Sequence, residues 1–288
     1  MNKKPNRFPN FICLGVPRGG TTWLYENLRV HPEVFLAEKE IHFFTPTGNY
    51  DFYLEHGYEW YNSYFSTAPT GSVTGEIAIH YLASEIARTR ISNDFPKMKF
   101  ILMLRSPVDR YNSIFELLKG RREFDGNLKD FSEDWRGKNQ LRTGLYFEHI
   151  MHWRACYPNE NFLIILQNDI RDNAQSVYKE ICQFIGVDET YVPDAVTTRI
   201  NEPKSFRSGL VRNVYRRVAM TLSFYRIDWL RKLLKLMGIP KLLEGLNKGG
   251  EYREPLKNED RIWLLNFYRS DIEKLEVLID RDLSSWKT

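Results

Sequence analysis

Residues Phe11–Leu24 read FICLGVPRGGTTWL. Four apolar residues of strand character, Phe11 to Leu14, run into a Gly-rich turn that opens a helix. Against the phosphate-binding pattern G-x-x-x-x-G-K-[ST], Gly15, Gly20 and Thr22 fall in place, and Thr21 stands where the lysine belongs. That lysine serves the β- and γ-phosphates of a nucleoside triphosphate. A loop that keeps the backbone cradle without it points to a nucleotide with a single 5′-phosphoryl-type group. The N–H groups of Arg18 to Thr22 would hold that group from a helix N-terminus. Read alone, the turn also fits a helix cap with Thr21 or Thr22 at or near the cap position.

Lys99–Ser113, KFILMLRSPVDRYNS, repeats the arrangement. Phe100 to Leu104 form a buried-strand candidate that ends in Arg105, and Pro107 turns the chain into a helix starting around Val108 to Arg110. A nucleoside triphosphatase usually wants a carboxylate there for Mg²⁺. A guanidinium instead suits bidentate capture of a phosphate with no metal between. The bland alternative is an Arg105–Asp109 pair at the helix start.

Together the two segments resemble the sulfotransferases that use 3′-phosphoadenosine 5′-phosphosulfate (PAPS), in a bacterial form similar to the heparan sulfate O- and N-sulfotransferase domains. The family's loop, P-[KR]-[SG]-G-T-T-x-L, stands here as Pro17 to Leu24. The resemblance implies that Arg18, Gly19, Gly20, Thr21, Thr22 and Trp23 hold the 5′-phosphosulfate. It assigns the 3′-phosphate to Arg105 and Ser113, and it implies no metal. It also implies a P-loop-like three-layer α/β fold. Strands alternating with helical stretches independently predict a mainly parallel central sheet with helices on both faces.

A third segment, LAEKEIHFF at Leu36–Phe44, precedes a Tyr- and Trp-rich stretch. It is similar to the family segment in which a glutamate precedes an apolar residue and then His/Gln-Phe-Phe, which places the catalytic base on Glu40. A carboxylate walled by aromatics has its pKa pushed towards neutrality, as a base for an acceptor hydroxyl requires. His42 is expected as a substrate contact and Lys39 as a group facing the sulfuryl; Glu38 reads as solvated. The family's E-K-[TS]-P-x-Y stretch appears here as Glu76, Ile77, Ala78, Ile79, His80, Tyr81. Isoleucine replaces the lysine and the proline is gone. His80 is thus a candidate acceptor-site group or alternative base, against the structural role an isolated histidine beside apolar residues more often has.

Tyr146, Ile150 and Trp153 recur at helical spacing and predict a core-facing helix. Asn161–Leu166 predicts a strand and Asp169–Ile185 a helix closed by Gly186. The resemblance extends to a late basic loop over the donor, with Lys204 and Arg207 as its cations, and to a closing helix and tail over Tyr268–Trp286.

At 288 residues, with motifs near 18, 105 and 204 serving one donor, a single domain over 1–288 is expected. Within it, 210–247 is a basic amphipathic helical insertion or lid, with three readings: packed with a solvated basic face, laid on an anionic membrane surface, or lining the acceptor cleft. Net charge is +4, too mild for a nucleic-acid partner to be expected. The three cysteines form no close pair: Cys13 falls in a predicted strand, Cys156 and Cys182 in predicted helices, as free thiols of a reducing compartment. The polar N-terminus and the lack of an apolar run of about 18 residues predict a cytoplasmic enzyme. The expected reaction is in-line transfer of the sulfuryl group from PAPS to a hydroxyl or amine of a small-molecule or glycan acceptor. A P-loop nucleotide kinase or a non-catalytic nucleotide-binding protein is the alternative.

Overall fold

The computed structural model describes residues 7–198 and 255–288, and between them only positions 218, 221, 224, 225, 230, 236 and 237. Lys204, Arg207 and nearly all of 210–247 therefore lie outside the described residues. The chain falls into two compact units, one of Met1–Arg110, Arg142–Asn201 and Leu265–Thr288, the other of Tyr111–Leu141 and Glu202–Leu264.

The first unit is built on five strands: β1 Phe11–Gly15, β2 Val34–Leu36, β3 Val73–Ile77, β4 Lys99–Leu104 and β5 Phe162–Leu166. They pair in the order β2-β3-β1-β4-β5, every pairing parallel. Parallel strands need crossover connections, and helices supply them: α1 Thr21–Leu28 after β1, α2 Phe52–Ser63 after β2, α3 Glu85–Asp94 after β3. With helices on both faces the sheet is doubly covered, which is why β1 and β4 read as continuous apolar runs and are buried along nearly their whole length. β1 lies in the middle with β3 on one side and β4 on the other. The chain winds first one way from it and then the other, which opens a crevice at the strand C-termini beside β1.

Local signals place the remaining elements well. α4 spans Pro107–Gly120, its start helped by Ser106 Oγ, which accepts the Asp109 N–H at 3.5 Å. After α5 Leu128–Glu133 and α6 Trp135–Thr143 comes α7, Tyr146–Arg154, where Tyr146, Ile150 and Trp153 are wholly buried. Burial of side chains this large contributes about 1.5–3 kcal/mol each. Trp153 Nε1–H finds the Leu82 carbonyl at 2.9 Å, so its polar edge is satisfied. α8 runs Gln167–Ile185 and stops at Gly186, whose φ of 83° is the left-handed cap conformation glycine adopts without penalty.

Two expectations need correction. The closing helix, α9 Asn258–Ile279, begins ten residues before Tyr268. Its buried stripe of Leu264, Tyr268, Ile272 and Leu275 carries the helical period back past the aromatic cluster read first. Cys156 lies in the turn after α7, exposed, because the helix has already ended at Arg154; Cys13 and Cys182 sit buried in β1 and α8. No described helix is long and apolar enough to cross a membrane.

In the second unit, Tyr111, Phe115, Phe124 and Phe131 form a ring cluster with centroids 5.2–6.2 Å apart. A capping box between Asn127 and Asp130 starts α5.

Candidate active site

The loop between β1 and α1 carries the geometry of an anion cradle. Arg18 is left-handed at φ 66°, and Gly20 caps α1 at φ 109°. Gly20 offers no side chain to the first turn, so no cap side chain consumes the N–H groups of Thr21, Thr22 and Trp23. Thr21 and Thr22 thus stand just after the cap, at the first two helical positions, and Gly20 itself is the cap. These N–H groups and the positive end of the helix dipole face the strand ends, where an anion is stabilised. The loop is packed hard against β4: Val16 N–H donates to the Met103 carbonyl at 3.0 Å, and a Cβ on Gly19 would sit 2.0 Å from that same oxygen. Gly19→Ala is expected to force the loop off β4 at a cost of about 1–3 kcal/mol, read as a lower midpoint in urea unfolding. Trp23 is buried and its Nε1–H donates to the Val196 carbonyl at 2.8 Å, tying α1 to the turn at Asp194–Thr197.

Arg105 closes β4, half-buried at the strand's C-terminal end. Its carbonyl accepts the Tyr146 hydroxyl at 2.9 Å, fixing its backbone independently of its guanidinium. Ser113 belongs to the second unit, where it is buried on α4.

The turn after β2 brings a second set of groups to the P-loop. Lys39 Nζ donates to Thr22 Oγ1 at 2.8 Å. Burial pulls the ammonium below its usual pKa, while Glu40 and Cys13 act the other way. The lysine absent from the P-loop at position 21 thus has a counterpart reaching the next residue from another loop. Glu40 follows at φ 64° and His42 at φ 59°, two non-glycine residues in the left-handed region. Such residues cost about 1–3 kcal/mol each and persist only where surrounding contacts impose them. Their side chains meet, with His42 Nε2 4.0 Å from Glu40 Oε2. The imidazoles of His42 and His80 stack with centroids 6.1 Å apart. Solvent reaches His80, yet crowding by protein strips its hydration and, with His42 beside it and Arg110 nearby, holds its imidazole below the usual pKa.

Aromatic residues enclose the carboxyl of Glu76, while Glu40 is partly exposed. Glu76 sits on β3 with no solvent exposure and accepts hydrogen bonds from the hydroxyls of Tyr61 and, at 2.9 Å, Tyr81. Burial raises it to about 7 against the pull of both phenols. Between pH 4.5, the ordinary value, and about 7 the folded state therefore binds more protons than the unfolded chain. Its contribution to stability is complete at low pH and is lost as pH rises through 7. Glu76→Gln carries no such group, so its melting temperature relative to wild type is expected to climb between pH 5 and pH 8.

Sequence reasoning passed over Arg110. It is wholly buried, and its guanidinium hydrogen-bonds Tyr146 and Tyr268. Its position four residues before the buried Ile114, on the apolar face of α4, was the available signal.

The family described as sulfotransferase domain matches residues 8–213. Human heparan sulfate glucosamine 3-O-sulfotransferase 6 is 30% identical over 190 residues, covering 63% of this chain and 53% of its own length. Mouse bifunctional heparan sulfate N-deacetylase/N-sulfotransferase 4 is 27% identical over 307 residues, 99% of this chain and 32% of that protein. The chain thus spans about half, or less, of the curated relatives it matches. A sulfotransferase from Alicyclobacillus acidocaldarius shares the fold, with a TM-score of 0.69 at 22% identity over 98% of this chain and 100% of that one. With a P-loop lacking its lysine, an arginine where a metal-binding carboxylate would stand, and a match over most of its length, this chain belongs to the sulfotransferase domain family.

Proposed function

We propose that the protein transfers the sulfuryl group of PAPS to a hydroxyl or amine of a glycan or small-molecule acceptor, with Glu40 as base. The observation that carries this reading is the Lys39–Thr22 hydrogen bond, since it sets the Glu40 turn directly against the anion cradle. Donor and acceptor chemistry then meet at one place, the crevice at the strand ends of the first unit.

In this reading Arg18 and the N–H groups of Gly19 to Trp23 receive the 5′-phosphosulfate. Arg105 takes the 3′-phosphate; Ser113 is assigned to that phosphate by family resemblance alone, as Lys204 and Arg207 are assigned to the donor. The acceptor oxygen or nitrogen attacks sulfur in line, its proton passes to Glu40, and the bond from sulfur to the phosphate oxygen breaks. Negative charge builds on the leaving phosphate, where the helix N-terminus, Arg18 and Lys39 oppose it. His42 and His80 flank Glu40 on the acceptor side. A glycan acceptor draws support from the names of the curated relatives, which act on heparan sulfate.

Calorimetry with the desulfated product, 3′-phosphoadenosine 5′-phosphate, in EDTA tests the donor half. Binding that disappears with the 3′-phosphate is the expected result. Preference for ATP, or a need for magnesium, would turn the reading towards phosphoryl transfer.

A further inference from the structure

We propose that Glu76 is the positioning group for the Glu40 turn, acting through Tyr81 and Tyr61 without touching substrate. The proposal rests on the reading of Glu40 as base. Residues 37–44 include the two left-handed positions, Glu40 and His42, and their conformation is held at one end from β3 and at the other from the turn that follows it. At the near end, the N–H groups of Ala37 and Glu40 donate to the carbonyls of Gly75 and Ile77, each at 3.1 Å. Those are the residues on either side of Glu76. At the far end, the Phe44 N–H donates to Tyr81 Oη at 3.2 Å, and the Tyr81 hydroxyl in turn donates to Glu76 Oε1 at 2.9 Å. Tyr61 donates to Oε2, and its ring stacks on Phe43 at 4.4 Å and 6°. Glu76, Tyr61, Tyr81, Phe43 and Phe44 are all sealed from solvent.

The chemistry selects a carboxyl group for this place. Tyr81 Oη already accepts from Phe44, so its hydrogen must go outward, and Tyr61 brings a second. Two buried donors converging on one side chain from two directions need two acceptor oxygens, which a carboxyl group provides. Glutamine offers one acceptor and turns an N–H₂ against the other phenol. Leucine would leave both hydroxyls unpaired.

Glu76→Gln and Tyr81→Phe, alone and combined, test this. In sulfuryl transfer from PAPS to an N-desulfated heparan oligosaccharide, each is expected to lower kcat by about 10²-fold, the scale of a misplaced catalytic group, with KM for PAPS unchanged. The double variant is expected to be no worse than the poorer single one, because both act through one chain of bonds. Deuterium uptake over 37–44 rises in both variants while uptake over 21–28 does not. Unchanged kcat, a parallel rise in KM for PAPS, or full additivity overturns the proposal. If wild type transfers nothing to this glycan, exchange alone decides: unchanged uptake over 37–44 overturns the proposal, faster uptake upholds it. Failure of the donor reading shows separately, as wild type that does not bind the desulfated nucleotide.

Discussion

Glu40→Gln is expected to lower kcat for sulfuryl transfer by about 10²- to 10⁴-fold, the range over which a positioned general base accelerates proton removal. Glutamine matches glutamate in size and keeps the backbone bond from residue 40 to the Ile77 carbonyl, so the turn stays in place. What is lost is the acceptor for the proton. Affinity for 3′-phosphoadenosine 5′-phosphate should be unchanged, because the N–H groups of the α1 cradle and Arg105 are untouched. The measurement is single-turnover transfer from labelled PAPS, paired with calorimetry. His80→Ala, run beside it, separates the two candidate bases. Its imidazole is held below the usual pKa, so it is neutral near pH 7 but a weaker base than an ordinary histidine. An active Glu40→Gln with a dead His80→Ala would move the base to the β3–α3 connection.

Arg105→Ala is expected to weaken the desulfated nucleotide by about 30-fold or more, the effect of truncating one partner of a charge-assisted, desolvated pair. Affinity for the analogue without a 3′-phosphate should not change. The fold tolerates the substitution, because Tyr146 holds the Arg105 carbonyl, which alanine retains. Arg105→Lys should recover only part of the affinity, since an ammonium cannot match the two-pronged geometry of a guanidinium on phosphate. Equal affinity of Arg105→Ala and wild type for the 3′-phosphorylated nucleotide would refute the assignment.

The β1–α1 loop, proposed to hold the donor, was legible in the sequence because its signals are local. A strand that ends in Gly15, a turn through Arg18 to Gly20 and a helix from Thr21 occupy consecutive residues, and the forces that shape them act over a few positions. The same holds for β4 running into Arg105, for the buried stripe of α7, and for Gly186 stopping α8. Composition and periodicity also sufficed for a parallel sheet buried on both faces. Strand order was a different matter. That β1 sits between β3 and β4 depends on which strands, dozens of residues apart, bury the most surface together. The acceptor side depends on it entirely. Lys39 reaches Thr22 because β2 and β3 carry the Glu40 turn to the edge of the P-loop, a contact no spacing encodes. The aromatic residues after Phe43 pointed to an enclosed carboxyl at Glu40, and the one they enclose is Glu76. The packing of α2 against β3 decided that it is Glu76, since a side chain's environment is made by elements it meets only once the chain has folded.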